Sequence, residues 1–219
     1  MRETEPRLSM TGGRKEERSI SMSQAKDSFF GLGIAPGLLN VLDALEFTVP
    51  TPIQEKAIPI AIEGKDVIGV AQTGTGKTLA FGIPMVQRLA QGKGRGLVLV
   101  PTRELALQVS DDLAKFVRPF KLRIAVVIGG ESMPQQIKAL KDRPQIIVAT
   151  PGRLNDHIEQ RGLRLRDVTI LVLDEADRML DMGFLPQIER IIRLIPKERQ
   201  TMLFSATMEA SVLGIASRY

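Results

Sequence analysis

From Phe29 onward the chain alternates short, uninterrupted apolar runs with longer segments whose apolar residues recur every third or fourth position. The short runs are DVIGV (66–70), GLVLV (96–100), RIAVVI (123–128), QIIVA (145–149), TILVL (169–173) and TMLF (201–204). They are rich in β-branched residues and Leu and lack the alternation of a strand with one wet face, so they read as strands covered on both sides. KTLAFGIPMVQRLAQ (77–91) and RELALQVSDDLAKFV (103–117) carry the spacing of amphipathic helices. Strands alternating with helices predict an α/β fold, a mostly parallel sheet with helices on both faces. Strand order is not fixed by the pattern.

Residues 1–28 break with this texture, mixing charges with Ser, Gly and Pro without apolar periodicity. They are expected to form a flexible N-terminal tail, leaving 29–219 as the folded domain. AQGKGRG (90–96) is expected to be a flexible helix-to-strand loop, with a basic contact loop as the alternative. RMLDMGF (178–184) reads as a core-facing helix and turn, and the only histidine, His157, as an exposed helical residue.

Composition narrows the chemistry. A chain of 219 residues with 43% hydrophobic positions can bury a core without covalent staples. The absence of cysteine excludes a disulfide framework, a thiolate zinc site and a Cys nucleophile. A formal charge of +5 suits a polyanionic partner without singling one out. With no apolar leader and no apolar run of about 18 residues, the expectation is a soluble cytoplasmic protein with no membrane partner.

The first predicted strand runs into AQTGTGKT (71–78), and a helix follows. A loop that wraps phosphates must turn several backbone N–H groups inward, which requires backbone angles that glycine adopts readily. Gly74 and Gly76 supply them around Thr75, and the helix N-terminus adds free N–H groups and its dipole. Lys77 can reach the terminal phosphates and the Thr78 hydroxyl can ligate Mg²⁺. Ala71 stands where the general pattern has Gly, and a Gly-rich turn before a helix is the bland alternative.

ILVLDEAD (170–177) places three acids directly behind an apolar strand. In open α/β sheets ligands sit outside the carboxyl ends of strands, so Asp174 is expected on the same rim as Lys77. Asp174 suits a hold on Mg²⁺, and Glu175 could polarise a water for in-line attack. Asp177 could equally cap the following helix.

Together, DEAD (174–177) and AQTGTGKT resemble the amino-terminal, RecA-like domain of a DEAD-box ATP-dependent RNA helicase. PTPIQ (50–54), PTREL (101–105), GG (129–130), TPGR (150–153) and SAT (205–207) agree in type and order, so the resemblance covers about residues 29–219. It implies a RecA-like three-layer fold, ATP and Mg²⁺ as ligands, and RNA bound without regard to sequence. It also implies that Gln54 reads the adenine edge and Phe47 stacks on the base, although Glu46 precedes Phe47 where the family usually has Gly. Without the resemblance, Phe47 would pass for an ordinary core residue. Of the two upstream aromatics, Phe29 matches the family better than Phe30.

By the same resemblance, Thr102, Arg103, Gly130, Thr150 and Arg153 would contact the sugar–phosphate backbone of RNA, and Ser205 and Thr207 would couple nucleotide state to RNA through Asp177. A second RecA-like domain, which supplies arginines to the ATP site, is implied but absent from this sequence. The isolated chain is therefore expected to bind nucleotide weakly, turn over little and unwind nothing. An ATP-dependent RNA-binding module without catalysis of its own is the alternative. Neither a guanine-reading NKxD nor a transporter-type LSGGQ occurs, while DNA in place of RNA stays open.

Overall fold

The structure, a computed structural model, describes residues 28–218 except Lys93. The expected tail therefore lies, but for Ser28, outside the described residues. All six predicted strands form: β1 (Val67–Val70), β2 (Arg95–Leu99), β3 (Ile124–Val127), β4 (Ile146–Ala149), β5 (Val168–Leu173) and β6 (Gln200–Ser205). They make one sheet in the order β1-β6-β5-β2-β4-β3, and every neighbouring pair is parallel.

The helices are α1 (Pro36–Ala44), α2 (Pro52–Ile62), α3 (Lys77–Gln91), α4 (Arg103–Val117), α5 (Met133–Lys141), α6 (Pro151–Arg161), α7 (Ala176–Asp181), α8 (Leu185–Leu194) and α9 (Ala210–Arg218). The spans of α3 and α4 are those that the apolar spacing predicts. Because α3 runs to Gln91 and β2 starts at Arg95, the connection after α3 is shorter than the seven-residue loop expected.

Strand pleating divides the interior in two. Along β5, Ile170 and Val172 face a core built with α1 to α4, whereas Leu171 and Leu173 face a second core built with α6 to α9. That two-sided burial is why the central strands carry continuous apolar runs; the edge strands depart from it, with Ile68 and Val70 of β1 exposed. Close packing also selects glycine at Gly69 in β1, where a Cβ would lie 2.6 Å from the Phe204 ring. The helix and turn expected at 178–184 are present, with Met179 buried and Gly183 in the left-handed region at φ 77°.

The end of α1 explains the unusual residue before Phe47. Glu46 N–H donates to the Asp43 carbonyl at 3.0 Å and Phe47 N–H to Leu42 at 3.0 Å. This is a Schellman cap, which requires a left-handed residue between helix and exit. Glu46 occupies that position at φ 62°, so the turn forms without glycine and carries the strain of a Cβ in that region. Phe29 is buried and Phe30 is exposed.

Candidate functional site

Since β1, β6 and β5 are neighbours, their C-terminal ends place three sequence blocks side by side. The phosphate-type loop follows β1, Ser205–Thr207 runs out of the last residue of β6, and Asp174–Asp177 follows β5. The Ala71 N–H closes the seam between two of them by donating to the Ser205 carbonyl at 2.9 Å.

Within the loop, Gly74 and Gly76 lie at φ 83° and 88°, and Gly76 is the N-cap of α3. Lys77, the first residue of that helix, is only 5% exposed, yet its Nζ has no hydrogen-bond partner among the described residues. Asp174 Oδ1 lies 3.7 Å away, within ion-pair range but beyond a hydrogen bond. A buried ammonium in this condition is poorly compensated and suited to an anionic ligand.

Asp174 is 2% exposed, and burial pushes its carboxyl up to about 6; Lys77 pulls the other way and Glu175 adds to the rise. Its Oδ1 accepts from the Glu175 N–H at 3.0 Å. Glu175 itself sits at φ 53°, a left-handed conformation that a side chain with Cβ adopts only under constraint. Both its oxygens are held: Oε1 accepts from the Thr73 hydroxyl at 2.7 Å, and Oε2 from Arg178 at 3.2 Å. Thr73 and Arg178 were not singled out by sequence. Nothing in the spacing links a loop threonine to a glutamate 102 positions later.

Asp177 closes the third side. Its Oδ2 accepts from the Ala206 and Thr207 N–H groups and the Thr207 hydroxyl at 3.0–3.2 Å, while its own N–H donates to Ser205 Oγ at 3.3 Å. Partial burial alone would raise the carboxyl, but donation from the Arg178 and Thr207 N–H groups and the Ser205 and Thr207 hydroxyls holds it below 3.8.

Gln54, 3% exposed, accepts from the Thr51 N–H at 2.9 Å and donates to the Gly76 carbonyl at 3.0 Å. It thus ties the start of α2 to the phosphate-type loop, with one donor and one acceptor position remaining on the amide. A neighbouring cavity of about 450 Å³ is lined by Thr51, Pro52, Ile53, Lys56, Val70, Ala71 and Thr75. Phe47 does not line it; the ring packs against Phe116 with centroids 6.3 Å apart. The Thr75 hydroxyl donates to Gln72 within the loop at 2.6 Å, and Thr78 is half-buried in the first turn of α3.

The other half of the rim, at the ends of β2, β4 and β3, gathers the remaining candidates. Thr102 caps α4 by accepting from the Leu105 N–H at 3.2 Å, and Thr150 precedes α6. Arg103 lies across Gly130, whose φ is 73°, and reaches Glu131 at 3.4 Å; a Cβ on Gly130 would overlap its guanidinium. Arg153 donates to the Ile128 and Glu131 carbonyls, each at 3.0 Å. His157 is not exposed as expected but fully buried, because its ring meets Gln136 at 3.0 Å beneath the same loop.

No cluster of three or more His, Cys, Asp or Glu that could hold a metal occurs among the described residues. A cation here would take one carboxylate and one hydroxyl from the protein and its remaining ligands from phosphate and water, a pattern that suits Mg²⁺. The orphaned Lys77 ammonium, the two left-handed glycines and the adjoining Asp174 and Thr78 fit a magnesium–polyphosphate ligand. No described helix is long and apolar enough to cross a membrane.

Comparison with known proteins agrees with this geometry. The chain is 49% identical over 193 residues to the ATP-dependent RNA helicase CshA of Listeria monocytogenes, covering 87% of this chain and 37% of that protein. It is 50% identical over 188 residues to the ATP-dependent rRNA helicase RRP3 of Pyricularia oryzae, covering 84% and 35%. The crystal structure of a DEAD box protein from the hyperthermophile Methanococcus jannaschii superimposes with a TM-score of 0.83 at 39% identity, covering 88% of this chain and 53% of that one. The chain thus spans little more than a third of the length of these curated relatives, and the fold is RecA-like. A sequence model of the DEAD/DEAH box helicase family matches residues 51–214, and the chain belongs to that family.

Proposed function

We propose that this chain is the ATP-binding RecA-like domain of an RNA helicase, coupling ATP binding and hydrolysis to RNA binding and local duplex opening. The observation that carries the reading is the buried Lys77 ammonium, without a hydrogen-bond partner among the described residues, between a left-handed glycine loop and Asp174. Lys77 and the loop N–H groups would grip the terminal phosphates. Thr78 and Asp174 would hold Mg²⁺, which supplies charge neutralisation on the transferring phosphoryl group. Glu175 would take a proton from the attacking water, oriented by Thr73 and Arg178. Gln54 would present its remaining amide donor and acceptor to adenine, with Phe47 as the stacking partner.

Asp177, clasped by Ser205–Thr207, would relay nucleotide state across β6. Thr102, Arg103, Gly130, Thr150 and Arg153 would hold RNA through its backbone, which gives affinity without base preference. Because the chain covers 37% of the Listeria relative, a second RecA-like domain is the proposed partner that completes the ATP site. An arginine supplied there is worth about 10³ to 10⁵ in rate in related phosphoryl-transfer enzymes. The same coverage favours a second reading, in which the isolated chain is an ATP-dependent RNA-binding module that does not turn over.

The test is a nucleotide titration of the purified chain together with ATP hydrolysis with and without single-stranded RNA. Binding with negligible turnover is expected. Strong RNA-stimulated turnover would mean that the chain completes its own site, and absence of nucleotide binding would remove the phosphate-loop assignment. In the two-domain protein, Glu175→Gln is expected to retain ATP and slow hydrolysis at least a hundredfold.

A further inference from the structure

His157, the one histidine in the chain, is buried on α6 and has no part in the chemistry above. Its neighbours determine which ring nitrogen carries the proton. The Ile128 carbonyl can only accept, so Gln136 must present its Nε2 there, at 2.8 Å. Gln136 Oε1 then faces His157 Nε2 at 3.0 Å. An amide oxygen also only accepts, so Nε2 is protonated and Nδ1 is a lone pair. Nδ1 has no partner among the described residues. Burial, and secondly the nearby Arg153, hold the imidazole below its ordinary value. His157 is therefore a neutral donor of fixed tautomer.

The bonds run in one direction, from His157 to Gln136 to the Ile128 carbonyl. That carbonyl also accepts from Arg153, which reaches Glu131 with its other arm. Ile128 and Glu131 flank the paired glycines 129 and 130, and Gly130 lies under Arg103. A two-glycine loop has wide conformational freedom unless something fixes its ends. Here the inner end is fixed from beneath by a side chain 5% exposed, itself held by one that is 0% exposed.

We infer that His157 and Gln136 are positioning residues for RNA binding: the buried imidazole fixes the Gln136 amide, and Gln136 fixes the Ile128 carbonyl from which Arg153 and the glycine loop are presented to phosphates. The inference rests on the RNA reading of this rim. Neither residue contacts RNA in this scheme. They reduce the ordering cost that the loop would otherwise incur on binding.

The experiment titrates the chain with a single-stranded oligouridylate, with magnesium–ADP as a reference ligand, and follows ¹⁵N-histidine NMR, where the one histidine gives a single pair of ring-nitrogen signals. The unliganded protein should show the Nε2–H tautomer; the Nδ1–H form would overturn the proposal before any RNA is added. His157→Ala and Gln136→Ala should each weaken RNA binding about three- to tenfold, as expected for one lost neutral hydrogen bond, and leave ADP affinity unchanged. His157→Gln, whose amide can again donate to Gln136, should recover most of the loss.

Undiminished RNA affinity in both alanine variants, or no recovery in His157→Gln, would overturn the positioning role. So would a parallel loss of ADP affinity, which would mark general loosening of the fold. Should His157→Ala fail to fold, Gln136→Ala removes the same bond and decides the matter. If the unmutated chain binds ADP but no RNA, the RNA reading fails and the inference falls with it, an outcome distinct from every variant result.

Discussion

The two halves of the sheet's C-terminal rim are built on opposite principles. At the ends of β1, β6 and β5, the groups nearest the phosphate-type loop are left uncompensated or strained, although Asp177 is clasped: Lys77 has no hydrogen-bond partner among the described residues, Asp174 is pushed toward neutrality, and Glu175 is held at φ 53°. At the ends of β2, β4 and β3, the charged groups are satisfied internally, with Arg153 on two carbonyls and Arg103 on Glu131. The first half holds free energy that a polyanion with its cation would release. The second is already in shape and would share its arginines with a ligand rather than acquire new order. A nucleotide site whose affinity depends on a few buried charges, beside a sequence-blind strand site that is already ordered, is what this contrast predicts.

The largest expected effect lies on the strained side. Lys77→Ala should weaken magnesium–nucleotide binding about ten- to a hundredfold, the range for a charge-assisted hydrogen bond. The substitution removes a buried charge without a hydrogen bond but also takes the cation from buried Asp174. Because that carboxyl is already pushed up to about 6, it can take up a proton in response, so thermal stability should change little. A large drop in melting temperature would show that the Lys77–Asp174 pair is stabilising and would erase the contrast.

Gly130→Ala probes the satisfied side. The added methyl would meet the Arg103 guanidinium at a left-handed position, costing roughly 1–2 kcal/mol of stability. RNA affinity should fall with ADP affinity intact. Equal losses of both, measured by parallel titrations, would show that the two halves are not independent.

Asp177 ties the end of β5 to the segment after β6 within the first half, and its carboxyl is held below its ordinary value of 3.8. A depressed carboxyl contributes stability that is complete above the unfolded value and is lost as pH falls through the folded one. Asp177→Asn should therefore cost about 1 kcal/mol at neutral pH, and the gap to the parent should start to narrow as pH falls toward 3.8 and close below the depressed folded value. Denaturant melts at pH 7 and in acid measure both; a gap that widens in acid would contradict the clasp.

Gln54→Ala has the mildest expected effect on ligand binding. Losing its bonds to Thr51 and Gly76 should cost roughly 1–3 kcal/mol of stability. Competition titrations should show affinity for all nucleotides reduced and the ATP-over-GTP preference narrowed. A preserved preference would leave Gln54 as a brace for the phosphate loop and not a reader of the base.

Much of this was open to reading in one dimension. Six continuous apolar runs announced the strands, and α3 and α4 follow their apolar spacing; burial on both faces holds for the central strands, whereas edge strand β1 leaves Ile68 and Val70 exposed. Gly74, Gly76, Lys77 and Asp174 could be named because a phosphate loop and a strand-end carboxylate are local patterns. Where local pattern carried no information, expectation failed or was silent. His157 was assigned to the surface because a polar residue in an amphipathic helix usually lies there, and Gln136, which satisfies it in the interior, stands 21 positions earlier. Phe47, given a stacking role by resemblance, is half-buried with its ring against Phe116, a contact that no local pattern announced.

The sequence alone therefore determined the layered α/β class, the phosphate-type loop and the carboxylates at the end of β5, since backbone preference and side-chain periodicity act over a few residues. Tertiary structure alone decided that β6 lies between the other two blocks, that Thr73 orients Glu175, and that a buried imidazole underlies the glycine loop. Those relations depend on the order in which parallel strands pair and on hydrogen-bond partners many residues apart, and no short-range pattern encodes either.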